Sequence, residues 1–311
     1  MARPLRIEYP GAFYHVLNRG LERRVIFREE KDYQHFLSRF LEVYRKYGMV
    51  CHTFCLMPNH YHLLLETPQG NLSLAMRHVD GFYTQYFNRR HRRVGPLFQG
   101  RYKAILIEKE SYALELSRYI HLNPVKAALT QHVQDYPYSS YRYFHTKAPA
   151  PLYFDARWLL SQFSTSLQEA RKRFHAFTLQ GLGVEFDPQK FARAGCLLGT
   201  EAFCEEVRRR YLQDKEDEGI PALRKIRPMA PLEHYEEVIR QLTADSMERQ
   251  RLLIYALRHA TPLTLRQISE KVGNISYHVV SKMASRLEER RKDDRSWDRL
   301  LTQLEEKVSK I

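Results

Sequence analysis

The segment Met57-Pro58-Asn59-His60-Tyr61-His62-Leu63-Leu64-Leu65-Glu66 constrains this chain more than any other. Pro58-Asn59 is a turn-forming pair, and Leu63-Leu64-Leu65 is an apolar run bounded by it. A hairpin strand therefore begins at His60. Residues two apart in a strand share a face and lie about 6.5–7 Å apart along it. His60 and His62 converge on one side at that spacing, which suits a single divalent cation, while Tyr61 and Leu63 face the core. The pair alone is equally consistent with two histidines that hold no metal, in a chain with 14 of them.

A second segment, Ser117-Arg118-Tyr119-Ile120-His121-Leu122-Asn123-Pro124-Val125-Lys126, lies about sixty residues later. The pattern predicts a helix over 111–123. Ser111 is a suitable N-cap, and Pro124 disfavours helical geometry at Asn123. Leu116, Tyr119, Ile120 and Asn123 fall on one face, with Tyr119 and Asn123 one turn apart. Taken alone, Tyr119 reads as an ordinary core-facing tyrosine. Tyr112 lies on the same face, seven residues earlier.

Charge narrows the partner. With 50 Lys and Arg against 36 Asp and Glu, the formal net charge is +14, which favours a polyanion, nucleic acid ahead of membrane. No apolar run approaches 18 residues, and residues 1–6 lack a signal-peptide core, so a cytoplasmic, nucleoid-associated protein is expected. Cys51, Cys55, Cys196 and Cys204 are expected to be reduced and structural.

Taken together, the motifs resemble those of the single-tyrosine transposases of bacterial insertion sequences, the HUH class. The REP-associated tyrosine transposases are the most similar branch. The resemblance rests on Met-Pro-Asn before His60-x-His62 and on Tyr119-Ile-His-Leu-Asn123-Pro-Val-Lys. Three further stretches carry it: Tyr14-His15-Val16-Leu17-Asn18-Arg19-Gly20, Leu97-Phe98-Gln99-Gly100-Arg101-Tyr102-Lys103-Ala104-Ile105, and Tyr136-Pro137-Tyr138-Ser139-Ser140-Tyr141. It spans residues 5–145, in order.

The resemblance implies metal-dependent cleavage and rejoining of single-stranded DNA at a short hairpin, through a 5′-phosphotyrosine. Tyr119 is the implied nucleophile; the Asn four residues on selects it over Tyr112. His60, His62 and Asn123 are the implied ligands of Mg²⁺ or Mn²⁺. Two other readings remain: a domesticated DNA-binding regulator with idle catalysis, and a replication-type nickase. The extra C-terminal region favours a monomer, with a dimer as the alternative.

Strands are expected over 12–20 and 49–57, and helices over 29–47 and 72–89. The order to residue 123 is β-α-β-β-α-β-α. That is an α+β, ferredoxin-like or RRM-like antiparallel sheet with helices on one side, the HUH nuclease fold in terms of the resemblance. Asn18 and Arg19 close the first strand, either as solvated strand-end groups or as DNA contacts. Arg89, Arg90, Arg92 and Arg93 form a dense cationic segment leading to Arg101 and Lys103, suited to phosphates. Phe98 and Tyr102 are read equally as base-stacking or core residues.

Composition shifts at Lys147–Pro151. The expected domains are 1–146 (catalytic), 152–228 (helical connection) and 232–311 (DNA-binding), with a second linker at 226–231. In the last domain, Thr264-Leu265-Arg266-Gln267 has capping-box spacing, Gly273-Asn274-Ile275 a turn pattern, and Ser276 opens a longer helix to about Lys292. This helix-turn-helix pattern resembles, more weakly, the DNA-binding domain of the replication initiator DnaA. A plain helical bundle for protein contacts is the alternative. Ser276, Tyr277, His278, Ser281 and Lys282 would lead a recognition helix, and Arg286, Arg290, Arg291, Lys292 and Arg295 suit phosphates.

Overall fold

The computed structural model describes residues 6–211, 231–261, 263, 265–273 and 275–309. The chain forms two compact units, residues 6–203 and, among the described residues, 204–309.

The first unit is built on strands β1 (Ala12–Arg19), β2 (Val50–Met57), β3 (His60–Thr67), β4 (Lys103–Ile107) and β5 (Leu197–Leu198), in the order β2-β3-β1-β4-β5. The pairs β2–β3, β3–β1 and β1–β4 are antiparallel; the short β5 adds a parallel edge. The sheet is therefore mixed, a departure from an all-antiparallel expectation. β2 and β3 join through Pro58-Asn59, as their turn chemistry predicts.

Helices α1 (Glu30–Tyr47) and α2 (Leu72–Arg90) cover one face. Tyr61 packs against Phe36 of α1 at 5.0 Å between ring centres, and its hydroxyl donates to Asp80 Oδ1 of α2 at 2.8 Å. Helix α3 (Lys109–Lys126) covers the other face, where Thr53 Oγ1 donates to Ser117 Oγ at 3.1 Å. The one-sided arrangement is corrected by this sandwich. Both faces of β3 are apolar: Tyr61, Leu63, Leu64 and Leu65 are all buried, so each face needs a cover.

Two expectations for α3 change. Its N-cap position is Glu108, which places Ser111 within the first turn. The helix also runs through Pro124 to Lys126 rather than ending at Asn123. Proline forfeits only the bond to the carbonyl of Ile120, and Ala127 N–H still donates to Asn123 O at 2.9 Å. Continued packing explains the extension: Leu122 and Pro124 are buried.

The expected boundary at 147–151 also moves. Helices α4 (Tyr141–His145), α5 (Arg157–Ser161), α6 (Leu167–Leu179) and α7 (Pro188–Phe191) belong to the first unit. Cys51 N–H donates to Tyr153 O, and Leu106 N–H to Cys196 O, both at 2.8 Å, so the connecting region binds back onto the sheet. The following helix, α8 (Glu201–Tyr211), is capped by Thr200, whose Oγ1 accepts from Phe203 N–H at 3.3 Å. All four cysteines are buried free thiols.

The second unit contains α9 (Leu232–Leu242), α10 (Ser246–Ala260), α11 (Leu265–Lys271), α12 (Tyr277–Asp293) and α13 (Arg295–Ser309) around Tyr235, Leu252, Ile254, Ile268, Val280, Leu301 and Leu304. A short helix, a turn and a longer helix thus occupy 265–293. Thr264, Asn274, most of the 226–231 linker and the Tyr277 side chain lie outside the described residues. Among the described residues, no helix is long and apolar enough to cross a membrane.

Candidate active site

The site is assembled by strand register. In the β1–β3 ladder Arg19 lies opposite His60 and Leu17 opposite His62; in the β1–β4 ladder Leu17 also lies opposite Lys103. Residues paired in this way point to the same side. His60, His62, Arg19 and Lys103 therefore share the face covered by α3.

The rings of His60 and His62 are edge to face, 5.1 Å between centres. Tyr119 stands edge-on to His62 at 5.6 Å. Asn123 Nδ2 donates to the Tyr119 carbonyl at 2.8 Å, so Oδ1 is the atom of that carboxamide suited to a cation. His60 Nδ1 lies 2.6 Å from Asn59 Oδ1, a contact that orients the ring from the turn residue before it. The structure thus gathers His60, His62, Tyr119 and Asn123, with Arg19 and Lys103 on the same face. Tyr112, half-buried one face-repeat earlier on α3, makes none of these contacts among those found for the described residues.

Burial sets the protonation states. It lowers His60 to about 4, helped by Arg19, and holds His62 well below the usual imidazole range. Both rings are neutral near pH 7, the form that ligates metals. Two neutral imidazoles and an amide oxygen suit Mn²⁺ or its neighbours, and so fit the divalent ion that the resemblance implies. Burial pushes the Tyr119 hydroxyl up to about 12; the carboxylate of Asp187 adds to the rise, while Asn123 and Arg19 oppose it.

Sequence reasoning missed four neighbours. His15, fully buried, has Nε2 3.0 Å from His62 Nδ1 and its ring 6.1 Å from that of Tyr119. The alternation in β1 put His15 on one face without saying which element would meet it. Phe186 lies edge-on to Tyr119 at 5.9 Å, Asp187 influences its hydroxyl, and Lys126 Nζ sits 5.8 Å over its ring. Nothing local in 181–187 signals this, because the contact depends on where the connecting region folds back.

The nucleic-acid candidates divide. Asn18 is buried and turned to the α1–α2 face: Nδ2 donates to Asp80 Oδ2 at 2.9 Å, and Oδ1 accepts from Arg19 N–H. That corrects its expectation as a DNA contact. Phe98 and Tyr102 are buried, which places them in the core. Arg89, Arg92 and Arg101 are exposed. Arg90 pairs with Glu29 at 2.6 Å, and Arg93 lies over Phe87 at 5.8 Å. The loop is rooted beside the site, since Gln99 N–H donates to Arg19 O at 2.9 Å. In the second unit, Ser276 holds the N-cap position of α12, and His278 and Lys282 are exposed. Arg291 is instead spent within the unit, on Tyr255, Asp298 and Glu305.

Among the described residues, one grouping of three His, Cys or carboxylate side chains is gathered as an ion would need: Glu29, Asp32 and His91. Its atoms are already committed. Asp32 accepts from the N–H of Arg28 and Glu29 and from His91, and Glu29 pairs with Arg90. It reads as the capping network of α1.

Residues 9–123 match the family model of IS200-like transposases. A Haemophilus influenzae protein named "putative REP-associated tyrosine transposase" is 28% identical over 130 residues, 38% of this chain and 72% of that one. Two solved structures are similar to part of the chain. One is a REP-associated tyrosine transposase bound to a REP hairpin: TM-score 0.41, 19% identity, 50% of this chain and 93% of that one. The other is a putative transposase from Deinococcus radiodurans: TM-score 0.28, 18% identity, 38% and 95%. Residues 9–123 are thus similar to proteins of DNA transposition.

Proposed function

We propose that this transposase domain cleaves and rejoins single-stranded DNA at hairpin, REP-like sequences through a covalent tyrosine intermediate. The observation that carries the reading is the convergence of His60 and His62 on β3 with Tyr119 on α3, with 5.6 Å between the His62 and Tyr119 rings.

His60, His62 and Asn123 would hold the Mg²⁺ or Mn²⁺ ion. When bound, the ion polarises the scissile phosphate and orients it. Arg19 and Lys103, on the same face, hold the phosphate chain beside it. The Tyr119 oxygen, having lost its proton, attacks phosphorus. The P–O3′ bond breaks, the departing 3′-oxygen takes up a proton, and the 5′-phosphate remains on the tyrosine. The phosphodiester energy is kept in the new ester, so a second 3′-OH can reverse the step without ATP. The exposed arginines of the 89–93 segment extend the phosphate contacts, and α11–α12 of the second unit add affinity for the hairpin stem. The protein acts in the cytoplasm on the nucleoid, as a monomer.

The test mixes the protein with labelled hairpin DNA from the repeats beside its own gene, with and without Mn²⁺. A denaturant-resistant adduct mapped to Tyr119, lost in Tyr119→Phe and His62→Ala, is expected. An adduct on Tyr112 would overturn the nucleophile assignment. Tight binding with no adduct under any metal would favour a regulator.

A further inference from the structure

The match to the transposase family model ends at residue 123, yet the connecting region beyond it reaches Tyr119. Gly181 lies against α3 so closely that a Cβ there would stand 2.7 Å from Arg118 Cδ and 2.9 Å from Leu122 Cδ1. Three residues on, Val184 O accepts from Lys126 Nζ at 3.1 Å. Phe186 then meets the Tyr119 ring edge-on. Asp187 caps α7 by accepting from Gln189 N–H at 3.0 Å, with Pro188 at its first position, so a single rigid turn follows. That turn places Phe191 parallel to Phe186, 5.7 Å between centres and 16° between planes. The three rings follow in a row: Phe186 stands edge-on to Tyr119, and Phe191 is stacked on Phe186.

The outer ring is open. Phe191 is 60% exposed, with its ring stacked on that of Phe186. Lys190 precedes it and is exposed, Lys126 is exposed at the Tyr119 end of the row, and Glu185 and Asp187 are the acidic residues of the same segment. An exposed flat aromatic with cations nearby, continuous with a residue that must reach a phosphorus atom, matches the way unpaired nucleic-acid strands are held. Bases stack on rings while cations follow the phosphates.

We propose that Phe186 and Phe191 form a stacking shelf for an unpaired nucleobase next to the scissile phosphate. The connecting region is then part of the substrate site. The inference rests on the cleavage reading above for its choice of strand, and it assigns no chemistry to the shelf. Stacking tolerates any base, so the shelf sets the path of the strand and leaves sequence choice to other contacts.

The test uses the full chain and a DNA hairpin carrying a single-stranded 5′ flank. Phe191→Ala should weaken binding about five- to hundredfold, the range for loss of one base–aromatic stack. Phe191→Trp should restore it; Phe191→Leu, which keeps apolar bulk without a flat face, should not. In wild type, an abasic site at one flank position should cost as much as Phe191→Ala, and combining the two should cost no more. A 2-aminopurine at that position should be quenched by wild type and by Phe191→Trp only. Equal affinity of wild type, Ala and Leu variants for every oligonucleotide would overturn the shelf. The two readings separate cleanly: no adduct in wild type refutes cleavage, whereas the affinity and quenching pattern judges the shelf by itself.

Discussion

His15 Nε2 lies 3.0 Å from His62 Nδ1, with both rings buried. Burial lowers His15 to about 3 and His62 well below its ordinary value, so both are neutral and one proton lies between the two nitrogens. If it sits on His62 Nδ1, the lone pair of His62 is on Nε2, ready for a cation. The His15 proton is then on Nδ1, which has no hydrogen-bond partner. An accepting partner of this kind fixes ring orientation and tautomer in metal-ligating histidines.

His15→Phe should therefore lower Mn²⁺ affinity about 10- to 100-fold, the usual cost of losing such a partner. Its volume keeps the core filled, so thermal stability without metal should change little. Titration calorimetry checks the affinity, and affinity equal to wild type would refute this role.

Asp187 bears on Tyr119, the proposed nucleophile. After burial, its negative charge is the next cause that raises Tyr119 toward about 12, since an anion disfavours a neighbouring phenolate. Asp187→Asn keeps the cap on α7 and removes the charge, so the Tyr119 pKa should fall. At any pH below that pKa the phenolate fraction then rises, by up to about tenfold per unit. Single-turnover adduct formation at pH 7 should be faster; a slower rate would indicate that the carboxylate serves the reaction instead.

The arginines of the 89–93 segment should not contribute equally. Arg92 is exposed, while Arg90 is paired with Glu29. Arg92→Ala should reduce the slope of log affinity against log salt by about 1, as for one phosphate contact. Arg90→Ala should change it less. Identical slopes for the two variants would count against this division.

Removal of residues 232–311 should weaken hairpin binding and leave metal-dependent adduct formation detectable, because His60, His62, Tyr119 and Asn123 all belong to the first unit. Gel-shift and adduct assays on the truncated chain check both parts. Unchanged affinity would remove the DNA-binding role from that unit.

Acid should destabilise the metal-free protein. Burial lowers His15 and His121 to about 3, below the value near 6.5 expected when unfolded. Between these limits the unfolded chain binds more protons, so stability rises with pH and is lost as pH falls from 6.5 toward 3. The loss should be on the order of 2 kcal/mol per histidine by pH 5. Urea midpoints at pH 7 and 5 test this, with His121→Asn expected to flatten the dependence.

By itself the sequence determined the resemblance to transposases and the candidate residues His60, His62, Tyr119 and Asn123. The turn at Pro58-Asn59, the alternation that joins His60 to His62, and the helical spacing of Tyr119 and Asn123 are local patterns, set by backbone geometry a few residues at a time. Only the tertiary structure decided what surrounds them. Register brought His15 to His62 and turned Asn18 inward to Asp80; packing carried α3 past Pro124 and put α3 on the face opposite α1 and α2. The fold-back of 181–191 set Phe186 and Asp187 beside Tyr119, from more than sixty residues away, and stacked Phe191 on Phe186. Such contacts depend on which faces meet, and no local pattern encodes that, because a strand or helix shows a side to be covered without naming what covers it.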